Sequence, residues 1–368
     1  MKVLIKSPGR VNLIGEHTDY NGGYVLPCAI SLYVNLEIIA CKNFSEVKTD
    51  LGYSMRFNIK RDYIKSKNQW ENYVLGVVNE LKKIKKNLLN FTCNIKSSLP
   101  SGSGMSSSSA LVCGLIKGLS LINKIKLNNA EIIDLSRIVE HKYIGVLGGI
   151  MDQFTILNAK KNSAILLNCQ DFKNRYIRIN LNDYKLLLLD SNVKHNLANT
   201  EYNTRVKECK KALEIINTEL KKNYKNLSQI SKEDLVKSRG KLPSFLYNRA
   251  LFVLKENQRT LKSAYLIENR NLTDFGKLMY QSHEGLKNKY EVSCKELDFL
   301  VEKTKDYGEI LGSRMMGGGF GGCTINLINS SLIDEFIKKI QPEYFSKFAK
   351  ELNPIITNIG NGIQVQKL

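Results

Sequence analysis

Leu99-Pro100-Ser101-Gly102-Ser103-Gly104-Met105-Ser106-Ser107-Ser108-Ser109-Ala110 runs directly into a helical pattern in which Leu111, Leu115, Leu119 and Ile122 share one face. Glycines let backbone N–H groups crowd toward an anion. Serine hydroxyls add donors and can cap the helix, whose positive dipole end favours phosphate. The pattern points to the phosphates of a nucleotide, against the plainer reading of a flexible serine-rich turn. It is not a Walker loop, which needs a lysine absent here, and its glycine spacing is not that of a dinucleotide-binding turn.

Upstream, Lys2 to Ser7 reads as a short strand and Tyr24 to Ala40 supplies two more β-rich runs. Downstream, Ile132, Ile133, Leu135, Ile138 and Val139 form the apolar stripe of a second helix, with Glu140 toward its end. Tyr184 to Asp190 is a buried strand, Glu201 to Lys211 turns helical, and the composition stays helical to about residue 290. With 368 residues, more than the ~250–300 at which a single core stops growing, two domains are expected, divided near 160–180.

Between the first strands lies Pro8-Gly9-Arg10-Val11-Asn12-Leu13-Ile14-Gly15-Glu16-His17-Thr18-Asp19-Tyr20-Asn21-Gly22-Gly23, which packs Arg, Glu, His and Asp between glycines. Short carboxylates beside an imidazole suit a sugar, whose hydroxyls both donate and accept; a solvated loop would look similar. In Gly148-Gly149-Ile150-Met151-Asp152-Gln153-Phe154 a lone acid stands among apolar residues, either a helix cap or a catalytic base. Glu140 precedes Asp152 by 12 residues, so a helix end and a turn could bring both to one phosphate site, one on a metal and one on the attacking hydroxyl. Trp70 reads as a core anchor or an adenine platform, and His141 and His195 as orienting or core histidines. A second glycine loop, Gly312-Ser313-Arg314-Met315-Met316-Gly317-Gly318-Gly319-Phe320-Gly321-Gly322-Cys323, leads into the strand-like Thr324 to Ile328 and must approach a ligand, the first loop or a neighbouring strand.

Composition narrows the classes. Hydrophobic residues make up 43% and charged residues 24%, as in globular proteins. The net charge of +20 is spread along the chain with no nucleic-acid-binding motif, so a nucleic-acid partner is not expected. The apolar opening is too short for the core of a secretory signal, and no apolar run approaches the ~18–20 residues that span a bilayer. Eight scattered cysteines lack metal-ligand spacing and read as reduced thiols, so a cytoplasmic location without membrane contact is expected.

Together these segments resemble the galactokinase family of the GHMP kinase superfamily. The Pro100–Ala110 loop and Met316 to Cys323 are shared in outline across the superfamily, whereas the Gly-Glu-His-Thr-Asp-Tyr-Asn run at 15–21 is largely restricted to galactokinases and N-acetylgalactosamine kinases. The stretches at 149–154, 192–195, 201–203 and 282–284 extend the resemblance over nearly the whole chain. It implies an α+β fold of two lobes, a ribosomal-protein-S5-like N-terminal lobe over 1–170 and a ferredoxin-like C-terminal lobe over 171–368, with the active site in the cleft between them.

It further implies ATP-dependent phosphorylation of the anomeric C1 hydroxyl of α-D-galactose in the Leloir pathway, Mg²⁺ as cofactor, and a monomer. By residue, Asp152 corresponds to the catalytic base and Arg10 to the arginine that steadies it. Glu16, His17, Asp19, Gly149 and Tyr202 correspond to the sugar site. Trp70 would neighbour adenine, Gly102, Ser103, Gly104, Met105, Ser106, Ser107 and Ser108 would form the phosphate loop, and Ser108 and Glu140 would hold Mg²⁺. Three positions depart from the usual pattern: Met105 for Leu, Val112 for Glu and Gly148 for Cys. The alternatives are an N-acetylgalactosamine kinase and a non-catalytic galactose sensor, the latter marked by a damaged phosphate loop that this chain does not have.

Overall fold

Alternating apolar residues set the first layer. In a computed structural model, which describes residues 1–63, 65–100, 102–193 and 201–368, the strand expected at 2–7 continues as β1 (Lys2–Asn12). Val3 and Ile5 point into the core while Lys2 and Lys6 do not. β2 (Tyr24–Val25), β3 (Pro27–Cys41), β4 (Ser45–Thr49), β5 (Ser54–Phe57), α1 (Gln69–Ile84) and β6 (Asn90–Ser97) follow. The phosphate-loop segment then enters α2 (Ser107–Ile122), and α3 (Asn129–Ile138) passes into a π-helical turn at Val139–Ile144. α4 (Met151–Asn158), β7 (Ser163–Asn168), β8 (Asn174–Arg178) and β9 (Tyr184–Asp190) lead to α5 (Glu201–Leu220), α6 (Lys232–Lys237), α7 (Ser244–Glu268) and α8 (Leu272–Gly285). A second π-helical turn, Leu286–Tyr290, precedes α9 (Lys295–Thr304), β10 (Ile310–Met315), β11 (Cys323–Asn329), α10 (Ile333–Phe348), β12 (Asn353–Thr357) and β13 (Gln364–Lys367).

Three sheets result, in the orders β13-β1-β3-β6-β4-β5, β10-β11-β9-β12 and β2-β7-β8. The helix α2 lies directly on the first. A Cβ at Gly114 or Gly118 would come within 2.6 Å of Leu36 and 2.3 Å of Ile38, so glycines four residues apart let the helix axis drop onto β3. One apolar face is too narrow a reading of this helix. Val112, Cys113, Leu115 and Ile116 are all buried because α1, α3, α4 and the sheet surround it. Val112, one of the three departures noted above, belongs to this core and does not line the cleft.

The second sheet carries the consecutive leucines 186–189 at its centre, apolar on both faces, with Leu187 and Leu189 packed toward α9 and α10. The lobes are not simple halves of the chain. β13 pairs antiparallel with β1, returning the C-terminus to the first sheet, and residue 170 falls in the turn joining β7 to β8. The eight cysteines are unpaired, and no helix among the described residues is long and apolar enough to cross a membrane.

Candidate active site

Both glycine loops meet at the mouth of a cleft of about 380 Å³, a volume suited to small-molecule ligands. Gly104 (φ +77°) and Gly317 (φ +79°) sit back to back: a Cβ on Gly104 would lie 3.2 Å from the Met316 carbonyl, and one on Gly317 3.2 Å from Gly104 Cα. Of the three possibilities for the second loop, the first loop is its neighbour. Left-handed backbone at both positions makes glycine the residue that fits.

Ser106 precedes α2 but does not cap it. Its backbone is left-handed (φ 57°, ψ 39°), which turns the hydroxyl away from the helix amides and onto the Asp152 carboxylate. The first-turn N–H groups of α2 are thereby left free to meet an anion. Ser107 and Ser108 line the cleft, whereas Ser103 is buried and donates to the Pro100 carbonyl at 2.9 Å. Met105 is also buried, and its carbonyl accepts from the Arg10 backbone N–H at 3.2 Å.

A register shift between Pro8 and Arg10 in the β1–β3 ladder re-aims Arg10 into the cleft. Its Nε donates to Asp152 Oδ1 at 2.8 Å and its NH1 to the Gly104 carbonyl at 2.5 Å. Burial opposes the guanidinium charge, but Asp152 and Glu16 outweigh it, and the pKa rises. Asp152 stands in the first turn of α4 yet caps nothing, since both carboxylate oxygens are taken by Arg10 and Ser106. Of the two readings of this acid, the cap is excluded.

Glu140 emerges from the first π-helical turn, an irregularity that rotates it off the α3 stripe and into the cleft. It accepts from Ser109 Oγ at 2.6 Å and from Gln153 Nε2 at 2.7 Å. Burial pushes its pKa up to about 7 against the bond from Ser109, with Asp152 adding. Ser109 thus touches this carboxylate, while Ser108 is hydrogen-bonded to Tyr73, whose own pKa burial and Glu140 raise to about 12. Gln153 Oε1 is buried with no hydrogen-bond partner among the described residues.

At the other end of the cleft, Asp19 is raised to about 7 by burial first and by Asp152 second. Gly149 passes so close that a Cβ there would sit 2.3 Å from Asp19 Oδ2. His17 lies 5.5 Å, ring to ring, from Tyr202 in the first turn of α5. Glu16 is buried and engaged: Oε1 accepts from the Gly317 N–H at 2.8 Å and from the fully buried Arg314, and Oε2 from Asn12 at 3.2 Å. This ion pair joins the β1 segment to β10.

The structure therefore gathers Arg10, Glu16, His17, Asp19, Gly102, Gly104 to Ser108, Glu140, Gly149, Asp152 and Tyr202 around one cleft. Trp70 is not among the lining residues. It packs against Tyr53 at 5.5 Å and the first-lobe core, while its neighbours Gln69 and Tyr73 face the cleft. His141 Nε2 holds the Gly148 carbonyl at 2.9 Å, and His283 is buried between the Met315 N–H and Asp298. His195 lies outside the described residues. Reasoning from sequence passed over Ser109 and Arg314, although both stand inside the quoted motifs. It also passed over Glu256 of α7, which is fully buried and accepts from the Gly15 N–H at 3.0 Å; mid-helix, nothing local marks it.

Known proteins resemble this chain in sequence and fold. Residues 2–38 match the galactokinase galactose-binding signature, residues 72–160 the GHMP kinase N-terminal domain and residues 263–347 the GHMP kinase C-terminal domain. The chain is 37% identical to a galactokinase of Thermosipho africanus, covering 99% of both sequences. It is 39% identical to one of Clostridium acetobutylicum, over 97% of this chain and 92% of that one. A galactokinase of Lactococcus lactis in complex with galactose superposes with a TM-score of 0.93 at 32% identity, over 99% of this chain and 95% of that one. A mevalonate kinase matches with a TM-score of 0.68 at 22% identity, covering 97% and 99%, which is likeness of fold alone.

Proposed function

The chain belongs to the galactokinase family, and from that membership we propose that its cleft transfers the γ-phosphoryl group of ATP to the C1 hydroxyl of α-D-galactose. Asp152 accepts the C1 hydroxyl proton, the C1 oxygen bonds to the γ-phosphorus, and the bond to the β–γ bridging oxygen breaks, giving galactose 1-phosphate and ADP. The transition state is loose, so rate comes from positioning and charge neutralisation more than from the strength of the base. Arg10 supplies both, bonding the carboxylate and tying it to the loop that grips the phosphates. The uncapped amides of α2 supply further donors.

The observation that carries this reading is the double grip of Arg10 on Asp152 and on Gly104, which fixes the base relative to the phosphate loop. On the sugar side, Asp19 is the acceptor for a pair of vicinal hydroxyls, with Gly149 giving room, and Glu16, His17 and Tyr202 complete the wall.

The donor set at the nucleotide end fits Mg²⁺. Among the described residues Glu140 is a buried carboxylate with no cation bonded to it, Ser108 and Ser109 bring hydroxyl oxygens, and the buried amide oxygen of Gln153 lacks a partner. Hard oxygens, few in number and completed by substrate phosphates, are the ligands this ion takes. Bound there, Mg²⁺ would neutralise charge on the phosphates.

ADP release from ATP and Mg²⁺ with galactose, N-acetylgalactosamine, glucose, galactosamine or mevalonate, each product checked by mass, tests the reading. Turnover should be strongest on galactose. Preference for N-acetylgalactosamine would overturn the substrate, and tight galactose binding without turnover would overturn the reaction.

A further inference from the structure

The segment that carries Glu16, His17 and Asp19 into the cleft turns at Gly15, and a residue without a role so far holds that turn. The peptide group joining Ile14 to Gly15 is bonded at both ends: the Ile14 carbonyl accepts from the Leu26 N–H at 3.1 Å, and the Gly15 N–H donates to Glu256 Oε1 at 3.0 Å. The Gly15 carbonyl accepts from Thr18 Oγ1 at 2.8 Å. Gly15 has a positive φ (+99°), and a Cβ there would lie 2.7 Å from the Tyr24 carbonyl and 2.8 Å from Thr260 Oγ1, so only glycine fits the pivot.

Glu256 reaches this turn from the middle of α7 and is fully buried. Both of its oxygens are committed. Oε1 also accepts from Ser282 Oγ of α8 at 2.6 Å, and Oε2 accepts from Arg259 Nε at 2.7 Å. A backbone N–H and a guanidinium can only donate, so the carboxylate is the acceptor in both. Two neighbours on α7 brace the same segment: Asn257 Oδ1 accepts from the Tyr24 N–H at 2.6 Å, and Thr260 Oγ1, beside Gly15, donates to the Glu256 carbonyl at 2.9 Å. Burying a carboxylate is costly, and Arg259 offsets the cost. What the carboxylate adds over a neutral side chain is a second acceptor oxygen, so Arg259 and the Gly15 N–H do not compete.

We propose that Glu256 is a positioning residue for sugar recognition: acting through the Gly15 N–H, it sets the path of the chain beyond β1 and so the places of Glu16, His17 and Asp19 in the cleft. The proposal rests on the sugar-kinase reading and deepens it. Among the described residues the side-chain bonds of Glu256 go to Gly15, Ser282 and Arg259, none of which holds Asp152 or the phosphate loop. Its effect therefore falls on sugar binding and not on phosphoryl transfer.

Steady-state kinetics of Glu256→Gln, Arg259→Met and the double variant test it. Glutamine keeps the shape of glutamate but has one acceptor oxygen; the guanidinium claims that oxygen, which turns the NH₂ toward the Gly15 N–H. In Glu256→Gln, KM for galactose should rise about tenfold, with kcat and KM for ATP within about twofold of wild type. Arg259→Met alone should leave KM for galactose within about twofold, since the carboxylate still serves Gly15. In the double variant the competitor is gone, the amide oxygen returns to Gly15, and KM for galactose should recover to within about threefold of wild type. A merely structural role predicts the reverse, a double variant worse than either single one. That result, an unchanged KM for galactose in Glu256→Gln, or KM values for galactose and ATP that rise together would overturn the proposal.

Hydrogen exchange of ¹⁵N-glycine-labelled wild type needs no variant to fold. The protein alone makes the anchor, so before sugar is added the Gly15 amide should exchange at least about 10³-fold more slowly than an unbonded amide. Exchange of Gly15 at the unbonded rate in the sugar-free enzyme would overturn the proposal. Failure of wild type to turn over galactose would instead strike the kinase reading, and the same variants are then compared by calorimetric galactose affinity, with the same expected order.

Discussion

Arg10 Nε lies 2.8 Å from Asp152 Oδ1 while NH1 of the same guanidinium lies 2.5 Å from the carbonyl of Gly104. One rigid planar group thus fixes the distance between a carboxylate on α4 and the glycine loop before α2. A lysine carries the charge but has one nitrogen and no fork, so it cannot make both contacts in that geometry. Arg10→Lys should therefore lower kcat by about 10²–10³-fold with a smaller change in KM for galactose. Steady-state kinetics at saturating ATP measures this; kcat within threefold of wild type would show that charge alone suffices.

Asp19 should impose a pH dependence on sugar binding. With its pKa raised to about 7 by burial and by Asp152, it is largely protonated at pH 6 and loses its capacity to accept from two hydroxyls. Galactose affinity, measured calorimetrically, should weaken as pH falls below about 7 and level off above about 8.

The same group affects stability with the opposite trend. Its folded pKa lies above its unfolded value, so the penalty for burying the charge is full above about pH 7 and fades as pH falls toward 4. Asp19→Asn should therefore stabilise the fold at pH 8 by roughly 1–3 kcal/mol and have little effect near pH 4, while abolishing most galactose affinity. Denaturant melts at the two pH values test this, and destabilisation at pH 8 would contradict it.

Gly149→Ala puts a methyl 2.3 Å from Asp19 Oδ2, so the aspartate must swing aside. The backbone there is not left-handed, and the fold should tolerate the change. KM for galactose should rise by at least about tenfold with stability changed by less than about 1 kcal/mol. An unchanged KM would remove Gly149 from the sugar wall.

The parts of the molecule readable in its sequence are those where chemistry and local geometry coincide. The glycine–serine loop needs its residue types in sequence order, and so do Arg10, Asp19 and Asp152 in their glycine-flanked segments. What escaped has a long-range cause. The ladder shift that aims Arg10 depends on β3, the partner strand. The π-helical turn that brings Glu140 round continues an unbroken helical apolar pattern. Ser106 looks like a cap until Asp152, 46 residues on, claims its hydroxyl. β13, with every side chain exposed, has no apolar alternation to reveal that it completes the first sheet.

Arg314 is a further instance, and it carries a stability prediction. Fully buried, it donates to the Asn12, Leu13 and Met315 carbonyls and to Glu16, bridging the lobes. Arg314→Met leaves Glu16 buried with only the Gly317 N–H and Asn12, and should cost about 3–5 kcal/mol. Adding Glu16→Gln should recover part of that loss in urea melts, since the uncompensated charge is gone; additive losses would show that the two act independently.

The central claim is that Asp152, held in place by Arg10 and Ser106, takes the C1 hydroxyl proton, and Asp152→Asn tests it most directly. The amide keeps the shape of the side chain but cannot accept the proton. Binding of galactose and of ATP should persist by calorimetry, while galactose 1-phosphate formation followed by ³¹P NMR should fall by about 10²–10⁴-fold. Product formation by Asp152→Asn at close to the wild-type rate would contradict the account.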